Sequence, residues 1–258
     1  MLSPERMTVP PPRFSRGVFF VLCCVLGASL LVSGQIKAVP AADKGGTAQP
    51  KAPARKIDSY TITQRGDRYR VSITYPNLGN AVADTELAIW VRDQASTFTQ
   101  SVQMIPAPDP MPYELFITYE THTASSRVIS VVFFISTAMG GAHPEPGLAT
   151  FAYEKHDGRR LTYADLFLNS DGLLEALSDI CRTTLSEQLG DRVVPDMLKA
   201  GTEPDVVNFD LFVPTAEGLR IYFPPYQAAP YSEGYLFVTV PLDKLDRFKP
   251  QKSLWDKE

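Results

Sequence analysis

The sequence predicts an α+β fold, in which antiparallel sheets carry helices packed on one face and two closely packed subdomains divide the chain. Three observations lead to this prediction. Five short runs rich in Val, Ile, Tyr, Phe and Thr occupy the first half, and a helix with one apolar stripe interrupts them. In the second half, helical stripes precede a strand hairpin. Such grouping of strands and helices is typical of the α+β class.

The first residues precede the predicted fold. Arg6, Arg13 and Arg16 come before an unbroken apolar stretch, residues 18–32, which is shorter than a comfortable bilayer span. Two interpretations of residues 1–34 stay open, a cleaved signal peptide and a retained N-terminal anchor. Both predict that the rest of the chain is exported to the periplasm or another extracytoplasmic compartment. Membrane contact is expected only through this segment.

Composition divides the remaining chain. Residues 35–56 predict a flexible linker, because residues 41–56 contain Ala, Gly, Pro and Lys but no large apolar side chain to bury. We expect an N-terminal subdomain over residues 57–158 and a C-terminal subdomain over residues 159–248. Residues 249–258 are expected to form a loose tail.

The charge balance is acidic. The chain has 25 Lys and Arg against 29 Asp and Glu. Without the four basic residues and one acidic residue of the first forty, 21 remain against 28, a balance of about −7. A nucleic-acid partner would require a basic surface, so this balance excludes that class and favours a cationic partner.

Strand patterns in the first half cover residues 60–63, 69–75, 113–119, 128–135 and 148–153, with Gly, Asp or Asn turns between them. Between the second and third strands, apolar residues recur at helical spacing and predict a helix over residues 83–103. They are Leu87, Val91, Ala95, Phe98 and Val102. The proline-rich stretch that follows prevents this helix from continuing.

The second half begins with a helix-start signal. Thr162 and Asp165 have the spacing of a capping box. A longer helix follows from Asp171, and Cys181 lies on its apolar stripe, which predicts a buried packing cysteine and not a nucleophile. We then expect a hairpin over residues 209–223, a Pro- and Tyr-rich loop, a strand over 235–240 and a short helix over 242–248.

A glycine turn separates the fourth and fifth strands. It consists of Gly140, Gly141, Ala142 and His143. We expect both glycines to take positive φ, which L side chains avoid. The His143 imidazole is expected to hydrogen-bond the neighbouring loop, and contact with a ligand is the alternative role.

Several stretches resemble a known family. GGAH, LTYADLF, and GLRIYFPPYQAAPYSEG leading into VTVPLDKL resemble the C-terminal domain of RsiV-type anti-sigma factors, which also occurs in PdaC-type peptidoglycan deacetylases. Residues from 57 to about 135 resemble the domain that precedes it in both. The resemblance implies an α+β envelope domain. In RsiV-type proteins the extracellular part binds lysozyme, and in PdaC-type proteins a separate domain catalyses deacetylation.

The chain departs from both types. Its N-terminal stub of about 17 residues is too short to hold a sigma factor, and no deacetylase domain with Asp and His ligands follows. The histidines His122, His143 and His156 show no pairing on one element, so no metal site is predicted. No Gly-x-Ser-x-Gly elbow, phosphate loop or dinucleotide fingerprint is present, so neither catalytic residues nor a cofactor are predicted.

Tyrosines in the Pro-rich loop are the candidate ligand contacts. Tyr226 and Tyr231 would present rigid aromatic faces that suit a protein partner or a sugar ring, and packing as a lid over the hairpin is the alternative. The sequence therefore predicts an exported, non-enzymatic binding or sensing module. Its ligand would be a cationic protein such as lysozyme, or a peptidoglycan fragment, bound through Tyr226, Tyr231 and His143. A cell-wall hydrolase or deacetylase with an unrecognised site, and a structural envelope protein, are the alternatives.

Overall fold

The five strands of the first half form one sheet in the computed structural model, which describes residues 57–107 and 111–256. The strands are β1 (Ser59–Arg65), β2 (Tyr69–Pro76), β3 (Tyr113–Thr123), β4 (Val128–Ala138) and β5 (Glu145–Glu154). Their spatial order is the same as their order in the chain. The predictions of a signal or anchor over 1–34 and a linker over 35–56 lie outside the described residues.

Helix α1 (Ala81–Gln103) connects β2 to β3 and buries the predicted stripe against one face of this sheet. It begins at Asn80, whose side-chain oxygen accepts hydrogen bonds from the next backbone N–H groups. Because α1 carries the chain back across the sheet, β2 and β3 run parallel. The expectation of purely antiparallel sheets is therefore wrong at this pair, whereas the other neighbouring strands are antiparallel.

The second half contains three α-helices and a three-stranded antiparallel sheet. The helices are α2 (Tyr163–Leu166), α3 (Leu173–Leu189) and α4 (Pro195–Gly201), and the strands are β6 (Phe212–Thr215), β7 (Gly218–Phe223) and β8 (Leu236–Val240). Short 3-10 helices lie at Gly190–Arg192, Val206–Asn208, Tyr231–Glu233, Leu242–Phe248 and Lys252–Leu254. The predicted α+β class is confirmed.

Two local predictions about these helices are also confirmed. The Asp165 carboxylate accepts hydrogen bonds from the Thr162 backbone N–H at 2.8 Å and from its hydroxyl at 2.7 Å, as expected at the start of α2. Cys181 on α3 is fully buried. Burial raises the pKa of its thiol to about 12, so the reactive thiolate is scarcely populated at neutral pH.

The two sheets pack against each other through β6, which lies over β3, β4 and β5 on the face opposite α1. Val132 of β4, Val213 of β6 and Tyr222 of β7 form the buried contact. The Ser130 hydroxyl, also buried, donates a hydrogen bond to the Pro214 carbonyl at 3.2 Å. The predicted subdomain boundary at residue 158 falls between the two sheets and stays a prediction.

The C-terminal residues are docked, so the expectation of a loose tail is wrong up to residue 256. Leu254 and Trp255 are buried. The Leu254 carbonyl accepts a hydrogen bond from the buried Ser125 hydroxyl at 2.8 Å, and the Gln251 N–H donates to the Leu166 carbonyl at 2.8 Å. Two apolar side chains in a polar stretch carry no periodic signal, so only their packing partners reveal their burial. No helix in the described ranges is both long and apolar enough to cross a bilayer.

Candidate ligand-binding site

The structure brings together the three residues that the sequence suggested as ligand contacts. The His143 ring, from the turn between β4 and β5, stacks on Tyr231 with ring centroids 4.1 Å apart and planes 23° apart. The Tyr226 hydroxyl lies 3.3 Å from His143 Nε2, and the Tyr226 and Tyr231 rings are 5.6 Å apart. We call this group the histidine–tyrosine cluster. Its two tyrosines are 52% and 36% exposed, and a binding role for them stays a prediction.

The glycine turn holds His143 in the cluster. Gly140 has a φ of +86°, as expected, but Gly141 is not in the positive-φ region, so that part of the prediction is wrong. One left-handed residue suffices to reverse the chain just beyond β4. His143 Nδ1 lies 3.1 Å from the Pro144 carbonyl. Since a carbonyl only accepts, Nδ1 carries the proton in the neutral ring, and Nε2 accepts a hydrogen bond from the Tyr226 hydroxyl.

Tyr226 has a strained backbone. Its φ of +72° lies in the left-handed region, which costs a non-glycine residue about 1–2 kcal/mol. The surrounding loop enforces this conformation. The Gln227 side-chain amide donates to the carbonyls of Gly201 and Asn208, both at 3.0 Å, and the Tyr226 N–H donates to the Ala229 carbonyl at 3.0 Å. Strain retained at an exposed side chain is typical of functional sites.

The strain at Tyr226 leads to a test with two substitutions at one position. We expect Tyr226→Gly to be more stable than Tyr226→Ala by about 1 kcal/mol, because glycine adopts positive φ without a steric penalty. Urea denaturation midpoints measure the difference. Tyr231, which does not have a positive φ, provides the control pair: there the glycine variant should be no more stable than the alanine variant. If the glycine variant were more stable than the alanine variant at both residue 226 and residue 231, the strained conformation of Tyr226 would be contradicted.

A second histidine–tyrosine pair lies where the two sheets meet. The Tyr222 hydroxyl of β7 is 3.0 Å from His122 Nε2 of β3. Phe237 of β8 lies 5.9 Å from the Tyr222 ring and is 45% exposed, and the Arg220 guanidinium sits 4.5 Å above the Phe237 ring centroid. No contact among these residues was predicted from the sequence, since they come from separate sheets and no local spacing signals their contact.

The environment of His122 disfavours its charged form. Burial lowers the pKa of His122 below its usual 6.5, the positive charge of Arg220 lowers it further, and Glu217 partly opposes the shift. The unfolded chain therefore binds more protons between the folded pKa and 6.5. The stabilising contribution of neutral His122 is complete above about pH 6.5 and is lost as the pH falls towards the folded pKa.

We therefore expect a specific acid sensitivity of folding. The free energy of unfolding of wild type should decrease as the pH is lowered from 7.5 to 5. The decrease should be smaller in the His122→Gln variant. Urea unfolding at both pH values measures it. His156→Gln, in the turn after β5, is the histidine control against which the effect of His122→Gln is measured. An unchanged pH dependence in His122→Gln would show that His122 is not the group responsible.

The two pairs present the same chemical groups. Both histidines hydrogen-bond tyrosine hydroxyls, and within the described residues no serine hydroxyl is seen hydrogen-bonded to a histidine. Over the same ranges no three His, Cys, Asp or Glu side chains are placed to hold a metal ion. Exposed aromatic faces beside an imidazole and a phenol hydroxyl suit stacking and hydrogen bonding with a ligand.

A family match covers the tyrosine loop. Residues 164–243 match the DUF3298 family, which is described as a protein of unknown function. This range includes Tyr226 and Tyr231 but not His143. Two solved structures of the same family share the fold at low sequence identity. The protein from Pseudomonas aeruginosa superposes with a TM-score of 0.55 at 13% identity, over 79% of this chain and 98% of that one. The protein from Bacteroides fragilis has a TM-score of 0.50 at 16% identity, over 75% and 92%.

Three relatives carry descriptive names. The peptidoglycan-N-acetylmuramic acid deacetylase PdaC of Bacillus subtilis is 24% identical over 181 residues, which are 70% of this chain but 38% of that protein. Immunogenic protein MPT64 of Mycobacterium tuberculosis is 27% identical over 219 residues, 78% of this chain and 89% of MPT64. An esterase of the same organism is 25% identical over 230 residues, 86% and 95% of the two chains. The likeness to PdaC is thus confirmed, while the RsiV-type designation and the N-terminal partner domain stay predictions.

Proposed function

We propose that this chain is an exported, non-enzymatic binding module that recognises a protein or peptidoglycan-related ligand at the histidine–tyrosine cluster. Tyr226 provides the main support. Its side chain is half exposed, its backbone is held at positive φ, and its hydroxyl is oriented by His143. A purely structural tyrosine would not need a strained backbone to keep its ring at the surface. Such a pre-organised ring loses little conformational entropy when a ligand binds.

Ring geometry and charge together suggest the ligand class. Tyr226, Tyr231 and His143 present neighbouring ring faces, which suit sugar rings or the side chains of a protein partner. The acidic balance of about −7 beyond the first forty residues favours a basic protein as the partner. The electrostatic attraction would act over about 8–10 Å at physiological ionic strength. A cationic lysozyme fits this description. The name of the relative PdaC supports a peptidoglycan fragment as the other ligand.

Export rests on the N-terminal sequence. Three arginines precede the apolar stretch of residues 18–32, the order found in secretory signals and N-terminal anchors. We propose that the folded part functions in the periplasm or an equivalent compartment outside the cytoplasm. Both proposed ligands belong to that side of the membrane.

The test is calorimetric titration of a cationic lysozyme and, separately, of muropeptide fragments. The proteins are wild type, the double variant Tyr226→Ala/Tyr231→Ala, and the control Leu168→Ala. Leu168 is 68% exposed, but it follows α2 and belongs to neither proposed binding site. We expect at least about a tenfold loss of affinity in the double variant, as for interface anchors, and no loss in the control. Lysozyme binding, but not fragment binding, should strengthen at low salt.

Stability measurements separate an interface from a lid. If the double variant loses stability while its affinity is unchanged, the loop packs on the core and the proposed site is wrong. Lost affinity with a retained unfolding midpoint supports the site. If wild type binds neither lysozyme nor muropeptides, the proposed ligand class is wrong.

A hydrolase is the second candidate, because two of the relatives are named as a deacetylase and an esterase. A histidine that accepts a hydrogen bond from a tyrosine hydroxyl could act as a general base. Its test measures hydrolysis of acetate esters and of N-acetylated muropeptides by wild type, His143→Ala and His122→Ala. Turnover by wild type that is lost in only one of the two histidine variants would establish a hydrolase. It would also contradict the proposal of a non-enzymatic binding module.

A further inference from the structure

Strand β1 is an open edge of the five-stranded sheet. It pairs with β2 in a continuous register from Ser59 opposite Pro76 to Arg65 opposite Arg70. Among the described residues no strand lies on its other side. Its sequence, SYTITQR, contains no proline and no charge before the last residue, and its register has no bulge. Natural sheets usually protect an exposed edge strand with a proline, a charged side chain or a bulge. Because β1 lacks these features before its last residue, it can accept another strand.

The opposite edge of the sheet is protected. Tyr153 of β5 forms a bridge with Arg160, and the Leu161 N–H donates to the Ala152 carbonyl at 2.8 Å. Pro146, near the start of β5, removes a further backbone donor. Among the described residues, the edge at β5 is therefore covered, whereas the edge at β1 is open.

A groove runs between β1 and α1. Since β1 is antiparallel to β2 and α1 returns the chain to the parallel strand β3, α1 runs in the same direction as β1. The groove has a volume of about 420 Å³. It is lined by Ile62, Gln64, Arg92, Ala95, Ser96 and Thr99. A strand added to β1 would direct alternate side chains into it.

The groove has an apolar end and a basic end. Tyr60 on β1 is 49% exposed and Ile89 on α1 is 62% exposed, and both lie towards the N-terminal ends of their elements. Arg92 of α1 lines the basic end of the groove and forms no ion pair with another described residue. This cation would complement a carboxylate on a bound chain.

We propose that β1 and α1 form a second binding site, which takes an extended peptide as an added strand. The peptide carries apolar side chains at alternate positions and a carboxylate near Arg92. Main-chain hydrogen bonds to β1 supply affinity, and the groove selects side chains. The site shares no residue with the histidine–tyrosine cluster, so either proposal can fail alone.

Residues 41–56 of this chain do not fit the role of this peptide. Pro50 and Pro53 lack the N–H that a sheet ladder requires. The segment also carries four basic residues and one acidic residue, so it would meet the basic end of the groove with like charge. The proposed occupant is a separate peptide.

The experiment titrates the full-length chain with a synthetic heptapeptide library. Threonine alternates with Val, Ile, Leu or Tyr, and each peptide is made with C-terminal Glu and with C-terminal Gln amide. Amide chemical shifts and hydrogen exchange of β1 are recorded. We expect exchange of alternate β1 amides to slow at least about tenfold on binding, because these N–H groups join a new ladder.

Two matched pairs of variants locate the site. Ser96→Trp fills the groove and should weaken binding at least about tenfold, because an occupied groove cannot accept the peptide side chains. Thr97→Trp, on the next residue and outside the lining, should leave it unchanged. Arg92→Ala should weaken the Glu peptides about two- to fivefold, as for an exposed ion pair, and leave the Gln amides unaffected. Asp93→Ala, the neighbouring exposed charge, should not weaken them.

Several results would overturn the proposal. These are the absence of binding by every library member at millimolar concentration, equal effects of Ser96→Trp and Thr97→Trp, and shifts confined to residues 224–234. Concentration-dependent protection of β1 without peptide would mean that the edge pairs with a second copy of the chain. Thermal melts must show that all four variants remain folded, and Thr97→Trp controls for the added indole.

Discussion

Gly201→Ala is expected to lower the free energy of unfolding by about 3 kcal/mol, a large loss for one added methyl group. The loop of residues 224–234 crosses the end of α4 at this glycine. A Cβ on Gly201 would lie 2.5 Å from the carbonyl carbon of Gln227, 2.8 Å from the Cα of Ala228, and closer still to the Gln227 carbonyl oxygen. All three atoms are backbone and cannot rotate away, so the helix or the loop must move.

Urea denaturation of Gly201→Ala and Gly141→Ala measures this effect against a matched control. A Cβ on Gly141 would meet the His143 carbonyl oxygen at 3.5 Å, an ordinary contact at an ordinary φ, so its effect should stay within about 0.5 kcal/mol. The displaced loop should also weaken ligand binding in Gly201→Ala, because Gln227 anchors Tyr226. Equal stabilities of the two variants would show that the loop does not approach α4 so closely.

Trp255→Ala is expected to lower the free energy of unfolding by about 3–5 kcal/mol, the range for removing a buried aromatic side chain. The Trp255 ring lies 6.2 Å from Phe167, and Leu254 beside it belongs to the same core as α3 and the three-stranded sheet. Ending the chain after Pro250 removes both apolar side chains together with the hydrogen bond between Ser125 and Leu254. That truncation should destabilise the protein at least as much.

Unfolding midpoints of Trp255→Ala and of chains ending after residue 250 or after residue 255 decide this point. The chain that ends after Trp255 is the control and should match wild type, since Asp256 is exposed. If removing residues 251–258 leaves the midpoint unchanged, the tail is loose, as the sequence suggested, and its docking in the structure is wrong.

Periodic patterns in the sequence determined most of the secondary structure. The five strands, α1 and the stripe of α3 were predictable because burial of one face imposes a repeat of 2.0 or about 3.6 residues on apolar positions. The capping box at Thr162 and Asp165 was predictable because its hydrogen bonds join residues three apart. The sequence also selected Tyr226, Tyr231 and His143 as candidate contacts, from the composition of two turns.

Contacts between distant residues were decided only by the tertiary structure. His143 and Tyr226 are separated by 83 positions, and their contact depends on how the two sheets pack. The parallel pairing of β2 and β3, the docking of Trp255 and the open edge of β1 depend in the same way on which elements meet. A local pattern shows that a face is buried but does not identify the partner that buries it, because the partner is selected by the packing of the whole chain.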